Sequence, residues 1–254
     1  MELVIGMVPV IPVRKEASHR SEMISELLFG EVAEVLDTNN GFTKLKCLYD
    51  NYEGWCQTNQ IAPITEAELI LNNKLLVAEW AAELDFSGQP MHVSLGTPLA
   101  QFQNGKVQFD KFSIVFNGAI WDAANAAFSD DSIQTIANKF INTPYLWGGR
   151  SVFGIDCSGF VQQVYRFFNK SLPRDAYEQA TVGEVVGFLQ EVQCGDLAFF
   201  DNEEGRIIHV GILFNSDTII HSAGKVRVDK IDTMGIVNTD TGERTHKLRI
   251  IKRY

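Results

Sequence analysis

Residues 143–168 read TPYLWGGRSVFGIDCSGFVQQVYRFF, and the two halves of this stretch follow different rules. Pro144, Gly148, Gly149 and Gly154 mark the first half as a turn and a glycine-rich loop. After Cys157 the spacing becomes helical. Phe160, Val164 and Phe168 recur at every fourth position with Val161 and Phe167 beside them, while Gln162, Gln163, Arg166 and Asn169 fall elsewhere. Asp156 has the chemistry of an N-cap, which predicts Cys157 in the first helical turn. Free backbone N–H groups and the positive end of the helix dipole favour a thiolate there. The thiol pKa is therefore expected to fall from ~8.5 towards neutrality, and the same N–H groups can hold an oxyanion. A buried structural cysteine is the competing reading. The glycine-rich approach favours chemistry, because it lets another molecule come close to the backbone.

A cysteine nucleophile needs a base, and the base needs an orienting group. Two histidines lie in strand-like runs, IIHVGILF at 207–214 and TIIHSA at 218–223, with Asn215-Ser216-Asp217 as a polar turn between them. Adjacent antiparallel strands can bring both rings to one face. His209 then takes the thiol proton, and His221 holds its ring through the other nitrogen. The same three residues could instead ligate one zinc ion. The helix-start position of Cys157 suits a nucleophile better, so neither a metal nor a cofactor is expected.

These motifs resemble the NlpC family of papain-like cell-wall cysteine peptidases. The resemblance is carried by GIDCSGF around Cys157, HVGI around His209, IIHSA around His221, GDLAFF at 195–200 and YLWGG at 145–149, and covers roughly residues 125–254. It implies an α+β fold in which a cysteine helix packs on an antiparallel sheet. The Tyr145 hydroxyl could help the Cys157 N–H bind the oxyanion and Trp147 could wall the groove, with ordinary aromatic packing of the loop as the competing reading for both; Ser158, on the nucleophile's turn, could touch substrate backbone.

Upstream, residues 1–63 read as a small β barrel, with strands expected at 8–13, 31–37, 42–48 and 54–57 and a hairpin signal at Asn39-Asn40-Gly41. The run YDNYEGWC at 49–56 is similar to a turn of bacterial SH3-like domains. Ser21 to Leu28 is expected as a helical turn, inside a long charged loop of the kind that carries function. Residues 64–73 read as a linker or short helix. Residues 74–123 read as a second SH3-like barrel, with strands at 74–84, 91–93, 98–102 and 106–116. The third domain, 124–254, opens with a helix at 130–141 on the face of Ile133, Ile136, Ala137 and Phe140.

Two SH3-like barrels before such a domain resemble the γ-D-glutamyl-L-diamino acid endopeptidases of peptidoglycan turnover, the dipeptidyl-peptidase VI type. The resemblance implies cleavage of stem peptides after the γ-linked D-glutamate, and a requirement for a free N-terminal L-alanine. Within PRDA at 173–176, Asp175 matches the amine-binding aspartate, and Ala176 replaces the family's serine. Tyr52 matches a barrel tyrosine that closes the groove, and Glu22 is the candidate second carboxylate.

Composition narrows the field. The 254 residues are 45 % hydrophobic, enough for a core in more than one domain. The net charge of −10 argues against nucleic acid as a partner, since phosphates demand a basic face. No apolar run reaches the ~20 residues of a membrane span. The opening MELVIGMVPVIPVRKE lacks a secretory pattern, so a cytoplasmic setting is expected, or a secreted or periplasmic one for a mature fragment. Cys47, Cys56, Cys157 and Cys194 show no C-x-x-C spacing, and reduced thiols are expected, with a Cys47–Cys56 bridge as the alternative. The expected partner is a small stem peptide; oligomeric state is open. An exported enzyme acting on intact wall, and a catalytically dead peptide-binding adaptor, are the rival functions.

Overall fold

A computed structural model describes residues 2–70, 73–109 and 111–254. The chain divides into two compact units. The first holds Met1–Ala126 with Trp147–Phe153 and Arg166–Ser171; the second holds Ala127–Leu146, Gly154–Tyr165 and Leu172–Tyr254.

In the first unit, β1 (Leu3–Gly6), β2 (Val10–Arg14), β3 (Met23–Leu28), β4 (Val32–Asn39), β5 (Phe42–Cys47), β6 (Glu53–Gln57) and β7 (Ile61–Ile64) form one sheet in the order β3-β2-β6-β5-β4-β1-β7. The β4–β5 hairpin turns at Asn40 and Gly41, whose φ angles of 47° and 80° suit the Asn-Gly turn that the sequence signals. The helical turn expected at 21–28 is instead strand β3, paired with β2 from Val10↔Leu28 onward. Ile24, Leu27 and Leu28 suggest helical spacing, but the neighbouring Ser25 and Glu26 are buried too, and strand pairing satisfies that backbone. The segment expected as a linker from residue 64 begins in β7, which pairs with β1.

The next strands are β8 (Leu75–Val77), β9 (Ala81–Phe86), β10 (Gln89–Ser94), β11 (Lys106–Phe109), β12 (Phe112–Val115) and β13 (Ile120–Asp122). They form a four-stranded sheet, β10-β9-β12-β11, and a β13-β8 pair. The expected strand at 98–102 is absent: beyond a single bridge from Pro98 to Leu76, the chain turns, with the Phe102 N–H bonded to the Leu99 carbonyl at 3.0 Å. Burial rather than pairing explains its apolar residues, since Leu99 and Phe102 enter a core shared by Ile5, Phe29, Leu84 and Phe116.

The first unit also receives the two-residue strand β14 (Arg150–Ser151). Arg150 is fully buried. Its backbone N–H donates to Glu26 Oε2 at 2.7 Å, and its guanidinium donates to both oxygens of Glu31 at 3.1 Å. Arg166 donates to Glu31 as well, and both cations lie over the Tyr49 ring. Burial alone raises the Glu31 pKa; the two guanidiniums outweigh it and hold the carboxyl below its ordinary value.

The second unit contains α1 (Asp130–Asn138), the two-residue strand β15 (Gly154–Ile155), α2 (Cys157–Arg166) through Tyr165, and α3 (Ala176–Gln179). Strands β16 (Glu184–Val186), β17 (Leu197–Asp201), β18 (Ile207–Asn215), β19 (Thr218–Ala223), β20 (Lys225–Asp232), β21 (Gly235–Val237) and β22 (Arg244–Arg253) follow. The sheet order is β16-β22-β17-β18-β19-β20-β21, and β21 pairs back onto β22, so β17 to β22 close into a ring. Helices before strands is the order the sequence predicts, but strands dominate: the described α-helices have nine, ten and four residues. Helix α2 differs from its amphipathic reading. Residues 157–168 are buried throughout, and Gln162 is accommodated by donating to the Leu172 carbonyl at 3.1 Å.

All four cysteines are free. Among the described residues, no helix is long and apolar enough to cross a membrane, and no His, Cys, Asp and Glu cluster could hold a metal ion.

Candidate active site

Asp156 caps α2 as its residue type predicts. Its carbonyl accepts from the Phe160 N–H at 2.9 Å and its Oδ1 from the Gly159 N–H at 2.7 Å. It also forms a buried ion pair with Arg174, 2.6 Å from guanidinium to Oδ2. The Ser158 hydroxyl is buried between these groups, 2.9 Å from Arg174 and 3.3 Å from Asp156, so it is engaged within the protein rather than open to a groove.

Cys157 stands in the first turn of α2, where the backbone N–H groups of Val210 and Ser158 both favour its thiolate form. Val210 is the strand residue that follows His209. A hydrogen bond joins the nucleophile loop to the next strand: Ser222 Oγ donates to the Ile155 carbonyl at 2.8 Å. The expected fall in thiol pKa is overturned. Burial, and then the Asp156 carboxylate, push the thiol up to about 12, against the smaller pull of the two N–H groups and Arg174. The cap that starts the helix thus sets a like charge beside any thiolate.

Two strands bring the histidines together. Gly211 faces His221 across β18–β19, so His209, two residues before Gly211, is the diagonal neighbour of His221 on the same face. His209 Nε2 lies 2.8 Å from His221 Nδ1. Gly211 leaves the space, since a Cβ there would lie 2.9 Å from the His221 Cβ. The pattern continues diagonally onto β20, where His221 Nε2 lies 3.0 Å from Asp229 Oδ2.

His246 stacks on His209 with ring centroids 4.1 Å apart and planes 24° from parallel. Burial, followed by the neighbouring His221 and His246, lowers the His209 pKa well below the ordinary imidazole value. Burial and then His221 hold His246 at about 4, with Asp229 pulling the other way. Burial thus favours the uncharged forms of both the Cys157 thiol and the His209 ring, against a standing ion pair.

Tyr145 is anchored by its N–H to the Gly224 carbonyl at 3.0 Å. Burial, then Cys157 and Asp156, push its phenol up to about 12, so it remains a hydrogen-bond donor at neutral pH. Asp175 precedes α3 and is half-buried; burial and then the Asp175 carboxylate raise the Tyr177 phenol above its ordinary pKa, and Ala176, the first residue of α3, is buried.

The remaining candidates lie in the first unit. Trp147 is 60 % exposed, and its indole N–H donates to Glu22 Oε1 at 3.0 Å. Gly148, with φ of 78°, follows it where a Cβ would lie 2.7 Å from the Met23 carbonyl oxygen. Tyr52 lines a small cavity with Glu26, Asp50 and Arg150.

Comparison with known proteins places the chain in a family. Residues 142–245 match the NlpC/P60 family, and residues 13–61 match the bacterial dipeptidyl-peptidase Sh3 domain. A probable endopeptidase of Haemophilus influenzae is 36 % identical over 124 residues, which are 48 % of this chain and 74 % of that protein. The chain belongs to the NlpC/P60 family. The γ-D-glutamyl-L-lysine dipeptidyl-peptidase of Bacillus subtilis is 34 % identical over 184 residues, 67 % of this NlpC/P60 chain and 60 % of the relative. The chain spans only 36 % of the Bacillus cereus protein of the same name. A solved NlpC/P60 family protein from Bacillus cereus shares the fold, with a TM-score of 0.81 over 99 % of both chains at 20 % identity.

The NlpC/P60 match covers Tyr145, Cys157, Asp175, His209, His221 and Asp229, and stops one residue short of His246. Asp229 and His246 are the residues that sequence reading missed. Alternation in VRVD at 226–229 offers the only signal for Asp229, and it does not distinguish a relay carboxylate from a surface one.

Proposed function

We propose that this chain is a cysteine endopeptidase hydrolysing the bond between γ-D-glutamate and the L-diamino acid of peptidoglycan stem peptides with a free N-terminal L-alanine, releasing L-Ala-γ-D-Glu. One observation carries the peptidase reading: the backbone N–H of Val210, the residue after His209, acts on the Cys157 thiol at the start of α2, and His209 Nε2 lies 2.8 Å from His221 Nδ1. The peptide-class reading is supported by relatives named as γ-D-glutamyl-L-lysine dipeptidyl-peptidase and dipeptidyl-peptidase 6.

In the proposed mechanism His209 takes the thiol proton as sulfur attacks the scissile carbonyl. The Tyr145 hydroxyl and the first-turn N–H groups of α2 stabilise the oxyanion. His209 then gives its proton to the leaving amine, and water, deprotonated by the same ring, cleaves the thioester. Because burial favours the neutral thiol and imidazole, oxyanion stabilisation must compensate for the charge separation that forms in the transition state.

Asp175 is the proposed partner of the substrate ammonium. A charge-assisted hydrogen bond selects the free amine, and an acylated N-terminus offers Asp175 no cation. Tyr52, Glu22 and Trp147 enter on the reading of the sequence, and Ser158 is set aside by its buried bonds. A cytoplasmic setting, with released peptides as substrate, is part of the same proposal.

The test compares L-Ala-γ-D-Glu-L-Lys, its N-acetylated form and intact peptidoglycan by mass spectrometry. Cleavage of the free peptide alone is expected, abolished in Cys157→Ala. Equal rates on the free and acetylated peptides would end the ammonium-recognition claim. Preference for intact wall would favour the exported enzyme.

A further inference from the structure

We infer that Asp229 is a positioning residue that fixes the tautomers of both histidines, so that the lone pair of His209 is on Nδ1. The inference rests on the reading of His209 as the base for Cys157 and adds a residue to that site.

Asp229 is buried, with a side-chain exposure of 1 %. Its Oδ1 accepts from the Thr239 N–H at 2.8 Å and from Arg227 at 2.9 Å, and its Oδ2 lies 2.8 Å from Arg227 Nε. Burial raises its pKa, but the bonds from His221, Thr239 and Arg227 outweigh burial and hold the carboxyl well below the usual range. Asp229 is thus a carboxylate, which can only accept.

The rest follows by elimination along the chain of bonds. His221 Nε2, 3.0 Å from Asp229 Oδ2, must carry a hydrogen. When the His221 ring carries that one hydrogen, its Nδ1 is an acceptor. His209 Nε2, 2.8 Å away, must donate to it. The neutral His209 ring therefore has its lone pair on Nδ1. His246 touches His209 through the ring face and bonds Thr245 through its own Nδ1, so it does not compete for either nitrogen of His209. When the Cys157 S–H bond breaks, its proton joins His209 Nδ1; the Nε2–H bonds of His209 and His221 stay in place, and Asp229 takes no proton.

Asp229→Asn inverts the pattern. Its oxygen is retained towards Thr239 N–H and Arg227 Nη2, which leaves the amide NH2 in place of Oδ2, facing His221 Nε2 with Arg227 Nε turned aside. His221 then carries its hydrogen on Nδ1 and donates to His209 Nε2, and His209 carries its own on Nδ1. Long-range ¹H–¹⁵N spectra of the full chain at pH 7.5 read these states directly. The wild type is expected to show Nε2–H on both rings, and Asp229→Asn to show Nδ1–H on both. Iodoacetamide alkylation of Cys157 and kcat on the free stem peptide should fall by roughly 10²-fold or more in the variant, with KM little changed. Asp229→Glu, which restores an acceptor, should recover the wild-type tautomers and part of the rate.

Nδ1–H on His209 in the wild type would overturn the inference without any variant. Wild-type tautomers or alkylation rate in folded Asp229→Asn would overturn it too. If the wild type shows the expected tautomers and alkylation but leaves stem peptides intact, the substrate reading fails and the relay stands.

Discussion

Gly211 links two levels of this site. It faces His221 in the β18–β19 register, and an added Cβ would lie 2.7 Å from Ile219 Cδ1 and 2.9 Å from the His221 Cβ. Gly211→Ala is expected to cost about 1–3 kcal/mol by overpacking, and to slow Cys157 alkylation by displacing the His221 ring. Urea denaturation and iodoacetamide kinetics on the same sample check both; a normal alkylation rate would show that the strand yields without moving the ring. At this scale the sequence was most legible where a residue carries its own context. Cys157, His209 and His221 sit in motifs with glycine or serine neighbours whose reason is steric or hydrogen-bonding. Asp229 and His246 have no such neighbours, and acquire meaning only from strands that lie beside them in space.

Helix α2 shows how one element can serve opposed demands. Asp156 caps it, pairs with Arg174 and also opposes a charge on Cys157. Removing the carboxylate in Asp156→Ala is expected to cost about 3–5 kcal/mol, because the Arg174 cation is buried, against ~1 kcal/mol for a cap alone. Asp156→Asn keeps a cap acceptor and removes the like charge, so its stability should lie between the two and its thiol pKa should fall. Denaturant midpoints and the pH profile of alkylation measure these effects. The helix start was legible because capping is local chemistry. Its burial on every side was not, because Gln162 and Arg166 look solvent-facing until their partners, the Leu172 carbonyl and Glu31, are in place.

For the whole molecule the consequence is acid sensitivity. His209 and His246 are held neutral in the fold, with His246 at about 4, whereas unfolded imidazoles titrate near ~6.5. Between those values the unfolded chain binds more protons, so stability should fall as pH drops from ~6.5 towards 4. Glu31 and Asp229 act in the same direction at lower pH: both carboxyls are held low in the fold, so the stability they add above their unfolded pKa of ~4 is lost as pH falls through their folded values. Thermal melts from pH 7.5 to 4 should show a falling midpoint, shallower in His246→Phe; a flat profile would contradict the neutral-histidine assignment. Glu31→Gln, which leaves two buried guanidiniums without a carboxylate, should lose about 3–5 kcal/mol in a denaturant titration.

The sequence by itself determined what depends on near neighbours along the chain: the Asn40-Gly41 hairpin, the capped start of α2, the strands that carry His209 and His221, and the motifs that mark the family. Tertiary structure alone decided the rest. It turned 21–28 into a strand by pairing it with β2, drew Arg150 onto Glu26 and Glu31, and set Asp229 and His246 around the histidine pair. It also reversed the expected thiol pKa, because a helix dipole acts over one turn while burial depends on everything packed around the sulfur.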